Sequence, residues 1–189
     1  MAQVKKPEVR RALLLAAKQE FLERGFKLSS MRRIAATAGT TIGNLYKYFE
    51  SKEAIYEELV SRVKGDLWSF ISNAENKLPT DPILQLQLFV TLVSSYRDDI
   101  LLLVDASDGT EYQNTYEDLL AMISDNLENH LPDFNMDNGK EAGGSVILVR
   151  TLSVGLLSGI IDILRNHSKE DEIKEGLTLY FTYIFKSFL

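Results

Sequence analysis

The chain has 189 residues, 45% of them hydrophobic, enough to bury the core of one large domain or of a small and a medium one. It has no cysteine, which excludes a disulfide framework, a thiolate nucleophile and a cysteine-rich zinc site, and which fits a reducing compartment. The net charge of −6 is unevenly placed: residues 1–65 carry 13 Lys+Arg against 7 Asp+Glu, and the remainder 8 against 20, so only the N-terminal third suits a polyanion.

The helical period recurs along the chain and strand alternation hardly at all, which predicts an all-α fold of about nine helices. Val9, Leu13, Ala16, Ala17 and Phe21 share one face of a first helix, which Gly25 ends as a C′ residue. Ser29 or Ser30 caps a short helix through Ala38, with Ile34 and Ala35 turned inward, and Gly39 breaks it. Thr41 caps the next helix, expected to reach about Phe49. Ser51 caps a long one whose apolar face is Ile55, Leu59, Val63, Leu67, Ile71 and Ala74. Pro79 and Pro82 mark a break. Helices are then predicted over about 82–97, 98–105, 110–131, 141–166 and 169–188, with 132–140 a loop. The domain boundary is expected near residue 50, with 1–50 and 51–189 as the two parts.

No basic segment followed by an apolar run opens the sequence. The eleven uncharged residues between Arg150 and Asp162 fall short of the roughly 20 that span a bilayer. No membrane partner is therefore expected, and the expected location is the cytoplasm.

Three short helices in the first 49 residues, the last two joined by a tight turn at Gly39-Thr40, have the plan of a helix-turn-helix. Its second helix enters the major groove. That explains an odd composition. Leu45 and Phe49, spaced i, i+4, anchor residues 41–49 to the core. Gly43 costs a helix about 1 kcal/mol relative to alanine, yet lets backbone approach base edges. Ile42 suits a thymine methyl. Thr40, Thr41, Tyr46 and Tyr48 supply neutral donors to phosphate oxygens, and Lys52 supplies charge near the same strand. Lys5, Lys6, Arg10 and Arg11 either follow phosphates or a minor groove, or form a solvated helix start.

Residues 13–56 resemble the DNA-binding domain of the TetR family of bacterial transcriptional regulators. The matching residues are Ala16-Ala17, Phe21, Gly25-Phe26, Ile34-Ala35, Ala38-Gly39-Thr40-Thr41, Gly43, Leu45-Tyr46, Phe49 and Ser51-Lys52-Glu53. The resemblance implies phosphate contacts at Ser30, Thr40, Thr41, Asn44, Tyr46, Lys47, Tyr48 and Lys52. It implies base contacts at Ile42 and Gly43, with Lys47 also able to reach an edge. Two residues depart from the family pattern. Arg33 stands where an acid is usual, and either adds charge near DNA or pairs with Glu20 or Glu23; Ile42 stands where a polar residue is frequent.

One helix-turn-helix reads few bases, so a symmetric dimer spanning two half-sites is expected on double-stranded operator DNA. The last two helices are the candidates for pairing, as the family resemblance also implies. Leu177, Tyr180, Phe181, Ile184, Phe185 and Phe188 form a wide apolar stripe, and Thr151, Gly155 and Gly159 line one face of the preceding helix with small residues. The alternative is that both helices are monomer core.

The resemblance further implies a small-molecule effector site in the C-terminal domain, coupled to DNA through the helix that begins at Ser51. Trp68, Phe70, Phe89, Tyr96, Tyr112 and Tyr116 either line that cavity or are ordinary core. Arg150 and Asp162, charges in an apolar helix, either meet a ligand or pair internally. His130 and His167 stand near predicted helix ends and form no metal-ligand pattern. No cofactor or metal is expected, and no catalytic set or phosphate loop is visible. A transcriptional regulator, a repressor in the first instance, is therefore expected. An all-helical enzyme and a protein-interaction adaptor on the same fold are the alternatives.

Overall fold

The computed structural model describes residues 6–72, 81–130 and 143–185. Among them are nine helices: α1 Pro7–Leu28, α2 Met31–Thr37, α3 Ile42–Leu45, α4 Lys52–Ser72, α5 Pro82–Ser95, α6 Arg97–Asp105, α7 Thr115–His130, α8 Gly143–Asn166 and α9 Glu170–Phe185. The chain divides into two compact units. The first is residues 1–66 with 98–114, and the second is 67–97 with 115–189.

In the first unit, Leu13, Ala17 and Phe21 of α1 are fully buried, as the helical period predicts. Ile34, Leu45 and Ile55 are buried to the same degree, and Tyr56 is 1% exposed. Each such side chain stabilises the fold by roughly 1.5–3 kcal/mol. Tyr56, absent from the predicted core face, is its aromatic centre. Its ring meets those of Phe21 at 5.3 Å and Phe26 at 5.2 Å edge-on, and its hydroxyl donates to the Leu102 carbonyl at 2.6 Å. Burial raises its pKa well above the ordinary tyrosine value. The segment 98–114 joins this core through the buried Ile100–Leu103 run. The Phe26 N–H donates to the Ala106 carbonyl at 2.8 Å, and Lys18 pairs with Asp99 at 2.5 Å.

Three predicted boundaries move. At Gly25 the backbone leaves helical geometry (φ 71, ψ 163) for a region essentially reserved for glycine, not the αL of a C′ cap, and one further turn follows through Leu28. That turn folds Phe26 into the core. Helix α3 is one turn rather than two. Helix α7 starts at Thr115, not 110, because the chain turns first at Gly109 (φ 85). There the Thr110 N–H and hydroxyl both bind the Ser107 carbonyl, at 2.9 and 2.7 Å. The predicted loop 132–140 lies outside the described residues, as do Lys5, Ala74 and Phe188.

In the second unit α5 packs on α9, and α8 packs on both α7 and α9. The Asp81 carboxylate caps α5 through the Ile83 N–H at 2.9 Å. The Arg97 Nε closes the C-terminal end of α8 by donating to the carbonyls of Leu164 at 2.8 Å and His167 at 2.6 Å. Leu127, Val149 and Leu156 form a buried cluster, with Ile123, Leu152, Tyr180, Phe181 and Ile184 packed against it. By length and composition alone, Val146–Asn166, with mean hydropathy 1.9, could cross a membrane. The count of eleven uncharged residues understates this helix, because it leaves out the apolar residues before Arg150.

Candidate nucleic-acid interface

The turn between α2 and α3 is built from residues chosen for backbone geometry. Gly39 takes a positive φ of 67, where a side chain would be strained. The Thr40 N–H donates to the Ala35 carbonyl at 2.9 Å and pins the turn to α2. Thr41 is extended (φ −90, ψ 152), and its hydroxyl accepts the Asn44 N–H at 3.1 Å, which makes it the N-cap the sequence predicts. After Leu45 the backbone tightens. Lys47 N–H binds the Asn44 carbonyl at 3.1 Å and Tyr48 N–H the Leu45 carbonyl at 2.9 Å, both i→i+3. Residues 41–49 therefore form a short helical rod, although only four of them are α-helix.

The rod has two sides. Leu45 (0% exposed) and Phe49 (4%) fasten the inner one. Ile42 and Tyr46 are 42% and 52% exposed, costly positions for large apolar groups, and Gly43 and Lys47 are exposed beside them. A methyl group built on Gly43 would meet nothing within 4 Å. Packing therefore does not require glycine there.

The remaining sequence-predicted DNA contacts divide by what they already hold. The Thr40 hydroxyl accepts the Asn44 amide at 2.9 Å, the Ser30 hydroxyl caps α2 by accepting the Arg33 N–H at 3.3 Å, and the Tyr48 hydroxyl accepts the Lys6 N–H at 3.0 Å. Used as acceptors, these hydroxyls keep a donor hydrogen for a phosphate oxygen. Lys52 is placed differently. Its ammonium donates to the carbonyls of Phe26 at 2.6 Å and Ser29 at 3.2 Å and stands 4.1 Å above the Phe26 ring. Its burial lowers its pKa below the ordinary lysine value. Arg10 pairs with Glu58 and lies over the Phe49 ring at 5.1 Å.

Of the two partners the sequence offers Arg33, the structure selects Glu20. The guanidinium Nε donates to its Oε1 at 2.5 Å, and Nη2 donates to the Leu28 carbonyl. Glu20 is one of the two acids that charge offers, and what the apolar face of α1 conceals is its burial. It is 6% exposed, and it also accepts the Ser30 N–H at 3.2 Å. A carboxylate four residues beyond Ala16 on a buried stripe is the signal that could have found it, since a buried charge demands a partner.

The residues proposed for an effector pocket do not all share one unit. Tyr112 belongs to the first, where its hydroxyl donates to Glu57 and its ring carries Lys64 at 4.7 Å. Trp68, Phe89, Tyr96 and Tyr116 belong to the second, where the Phe89 ring meets Phe70 tilted at 5.5 Å and Phe181 edge-on at 5.4 Å. The Tyr116 and Ser158 hydroxyls lie 3.1 Å apart. Arg150 and Asp162 are exposed, so neither is the buried charge that an apolar helix suggests. No group of three or more His, Asp or Glu that could hold a metal lies among the described residues.

The residues expected to pair two copies also divide. Leu177 is fully buried within the chain. On the small face of α8 only Gly159 is filled from inside: a methyl group there would lie 2.3 Å from the Tyr180 ring, whose hydroxyl donates to the Gly155 carbonyl. Tyr180, Phe181 and Ile184 are half-buried, Thr151 and Gly155 are exposed, and the Phe185 side chain lies outside the described set. Sequence reasoning missed the most open apolar residues of α8 and α9. Tyr183 is 85% exposed, Ile147 71% and Leu179 63%, with Val146 and Val154 beside them in α8. Helices apolar nearly all round give no sign of which side faces out.

An all-α chain with an N-terminal helix-turn-helix and exposed groups on its second helix defines a class of DNA-binding regulators. Residues 13–59 match the bacterial regulatory proteins of the tetR family. It is similar to the HTH-type transcriptional repressor BepR of Brucella suis biovar 1 (strain 1330), with 46% identity over 57 residues, 30% of this chain and 27% of BepR. It is also similar to YdgC of Bacillus subtilis (strain 168), an uncharacterized HTH-type transcriptional regulator, with 34% identity over 128 residues, 64% of this chain and 65% of YdgC. Both matches span less than two thirds of the relative's length. Among solved structures, a TetR-family transcriptional regulator from Bordetella parapertussis 12822 superposes with a TM-score of 0.64 at 18% identity, covering 93% of this chain and 95% of the other. At that identity the likeness is one of fold.

Proposed function

We propose that the chain is a sequence-specific, DNA-binding transcriptional regulator. It acts as a homodimer and represses until a small-molecule effector releases it from its operator. One observation carries the reading. The rod 41–49 presents Ile42, Gly43, Tyr46 and Lys47 on its exposed side, where no packing requires the glycine, while Leu45 and Phe49 hold its other side. Ile42 and Gly43 meet base edges. Ser30, Thr40, Thr41, Asn44, Tyr46, Lys47 and Tyr48 meet the phosphate backbone. Residues 1–50 read DNA, and residues 51–189 dimerise and bind the effector in the cytoplasm.

The name of BepR supports repression, and the exposed apolar residues Ile147, Val154, Leu179 and Tyr183 support pairing of α8 and α9 with a second copy. Effector control requires preferential binding to the DNA-incompetent state. A coupling of about 1–3 kcal/mol weakens the operator complex roughly 5–150-fold.

Mobility shifts of the full chain on a duplex selected from a random pool test this. Binding should be salt-sensitive and weakened in Tyr46→Ala and Lys47→Ala. A wild-type chain that enriches no sequence from the pool defeats the proposal.

A further inference from the structure

Helix α1 ends in a cluster of carbonyls. After the backbone departs from the helix at Gly25, the carbonyls of Phe26, Leu28 and Ser29 lie within reach of two cations supplied by later elements. Lys52, the first residue of α4, donates to Phe26 and Ser29 at 2.6 and 3.2 Å and sits 4.1 Å over the Phe26 ring. Arg33 of α2 donates to Leu28 and, at 2.5 Å, to buried Glu20, which also accepts the Ser30 N–H at 3.2 Å. One ammonium and one guanidinium thus tie α1, α2 and α4 together at a single place. The rod hangs from α2 through the Thr40 N–H and the Ala35 carbonyl at 2.9 Å. Whatever fixes α2 against α1 and α4 fixes where the rod stands.

We propose that Lys52, with Arg33, is a positioning residue of the DNA-reading unit: it clamps the carbonyl-lined exit of α1 and neutralises no phosphate. This deepens the DNA-binding reading and rests on it. A lysine has three donor hydrogens, and two are placed on carbonyls. To reach DNA the ammonium would abandon both and leave the aromatic face of Phe26. Lys47, exposed on the rod, carries charge to the backbone instead.

Phosphate contacts can be counted, because log K falls with log salt by about 0.9 for each phosphate neutralised on duplex DNA. The experiment titrates the full chain by fluorescence anisotropy against a labelled duplex selected by the wild-type protein, across about 50–200 mM KCl. It is paired with thermal melting of the chain without DNA. Lys47→Gln calibrates the slope and should flatten it by about 0.9. Lys52→Met should lower affinity at least tenfold, measured well below its melting temperature, with the wild-type slope retained. Its melting temperature should fall, and Lys52→Arg, whose guanidinium can reach the same carbonyls, should restore both. If Lys52→Met does not fold, Lys52→Gln takes its place, with the same slope expected.

A slope flattened in the Met or Gln variant overturns the proposal, as does an unchanged affinity. If the wild-type chain selects no DNA, the regulator reading fails and melting alone decides the clamp. A melting temperature lowered by Met and recovered by Arg then supports it, and an unchanged one overturns it.

Discussion

The rod at 41–49 and the α8–α9 pair both show apolar residues to the outside, yet only one of them could be read from sequence. In the rod the unusual residues are local and each has one task. Gly39 takes a positive φ, Thr41 caps, Leu45 and Phe49 anchor, and what is left must face out. In α8 and α9 the apolar residues run nearly all round, so the period does not choose a face. Leu177 and Leu179 are both leucines on one helix. The first is 0% exposed and the second 63%. Local exceptions encode direction, while uniform hydrophobicity encodes only burial somewhere.

Two substitution pairs and one single substitution sharpen that comparison, beginning with the largest effect. Leu45→Ala should cost about 2–5 kcal/mol, because it empties a fully buried site that the rod depends on. Leu179→Ala should change monomer stability by less than about 0.5 kcal/mol, as an exposed position does. Its effect should appear as weaker self-association in sedimentation equilibrium. Equal losses in urea melts of the two variants would mean that Leu179 is core and the outward face has been misassigned.

The glycines of α8 come next. Gly159→Ala drives a methyl group to 2.3 Å from the Tyr180 ring, and that ring is held by its hydroxyl on the Gly155 carbonyl. A loss of about 1–3 kcal/mol is expected. Gly155→Ala meets nothing within 4 Å in the chain and should gain up to about 1 kcal/mol from helix propensity. Opposite signs in thermal melts would establish that only Gly159 is needed for the contact between α8 and α9. Both were expected to serve a contact between copies, and the sequence could not distinguish them. Their spacing of four places both on one face, but it does not say that Tyr180 of the same chain fills it.

The same limit explains the rest of what stayed hidden. The helices, the caps at Ser30 and Thr41 and the two anchors follow from rules that act within four residues. Tyr56, Glu20 and Lys52 are decided by partners 46, 13 and 26 residues away, at Leu102, Arg33 and Phe26. For Arg33, charge alone narrowed the partner to Glu20 or Glu23. For Lys52 the resemblance to other regulators suggested a phosphate, and only the carbonyls of a kinked helix end show another task.

Gly43→Ala carries the smallest energy and separates fold from function most cleanly. The position has open space around it and no positive φ, so alanine fits without strain. A gain of a few tenths of a kcal/mol, less than the full helix propensity because α3 is a single turn, is about what melting should show. On the DNA-binding reading the added methyl group stands between the backbone and a base edge, so affinity for the selected duplex should fall as stability rises. The salt slope should stay unchanged, since no charge is removed. If affinity holds while stability rises, the glycine serves neither packing nor approach, and the outer side of the rod meets DNA through Tyr46 and Lys47 alone.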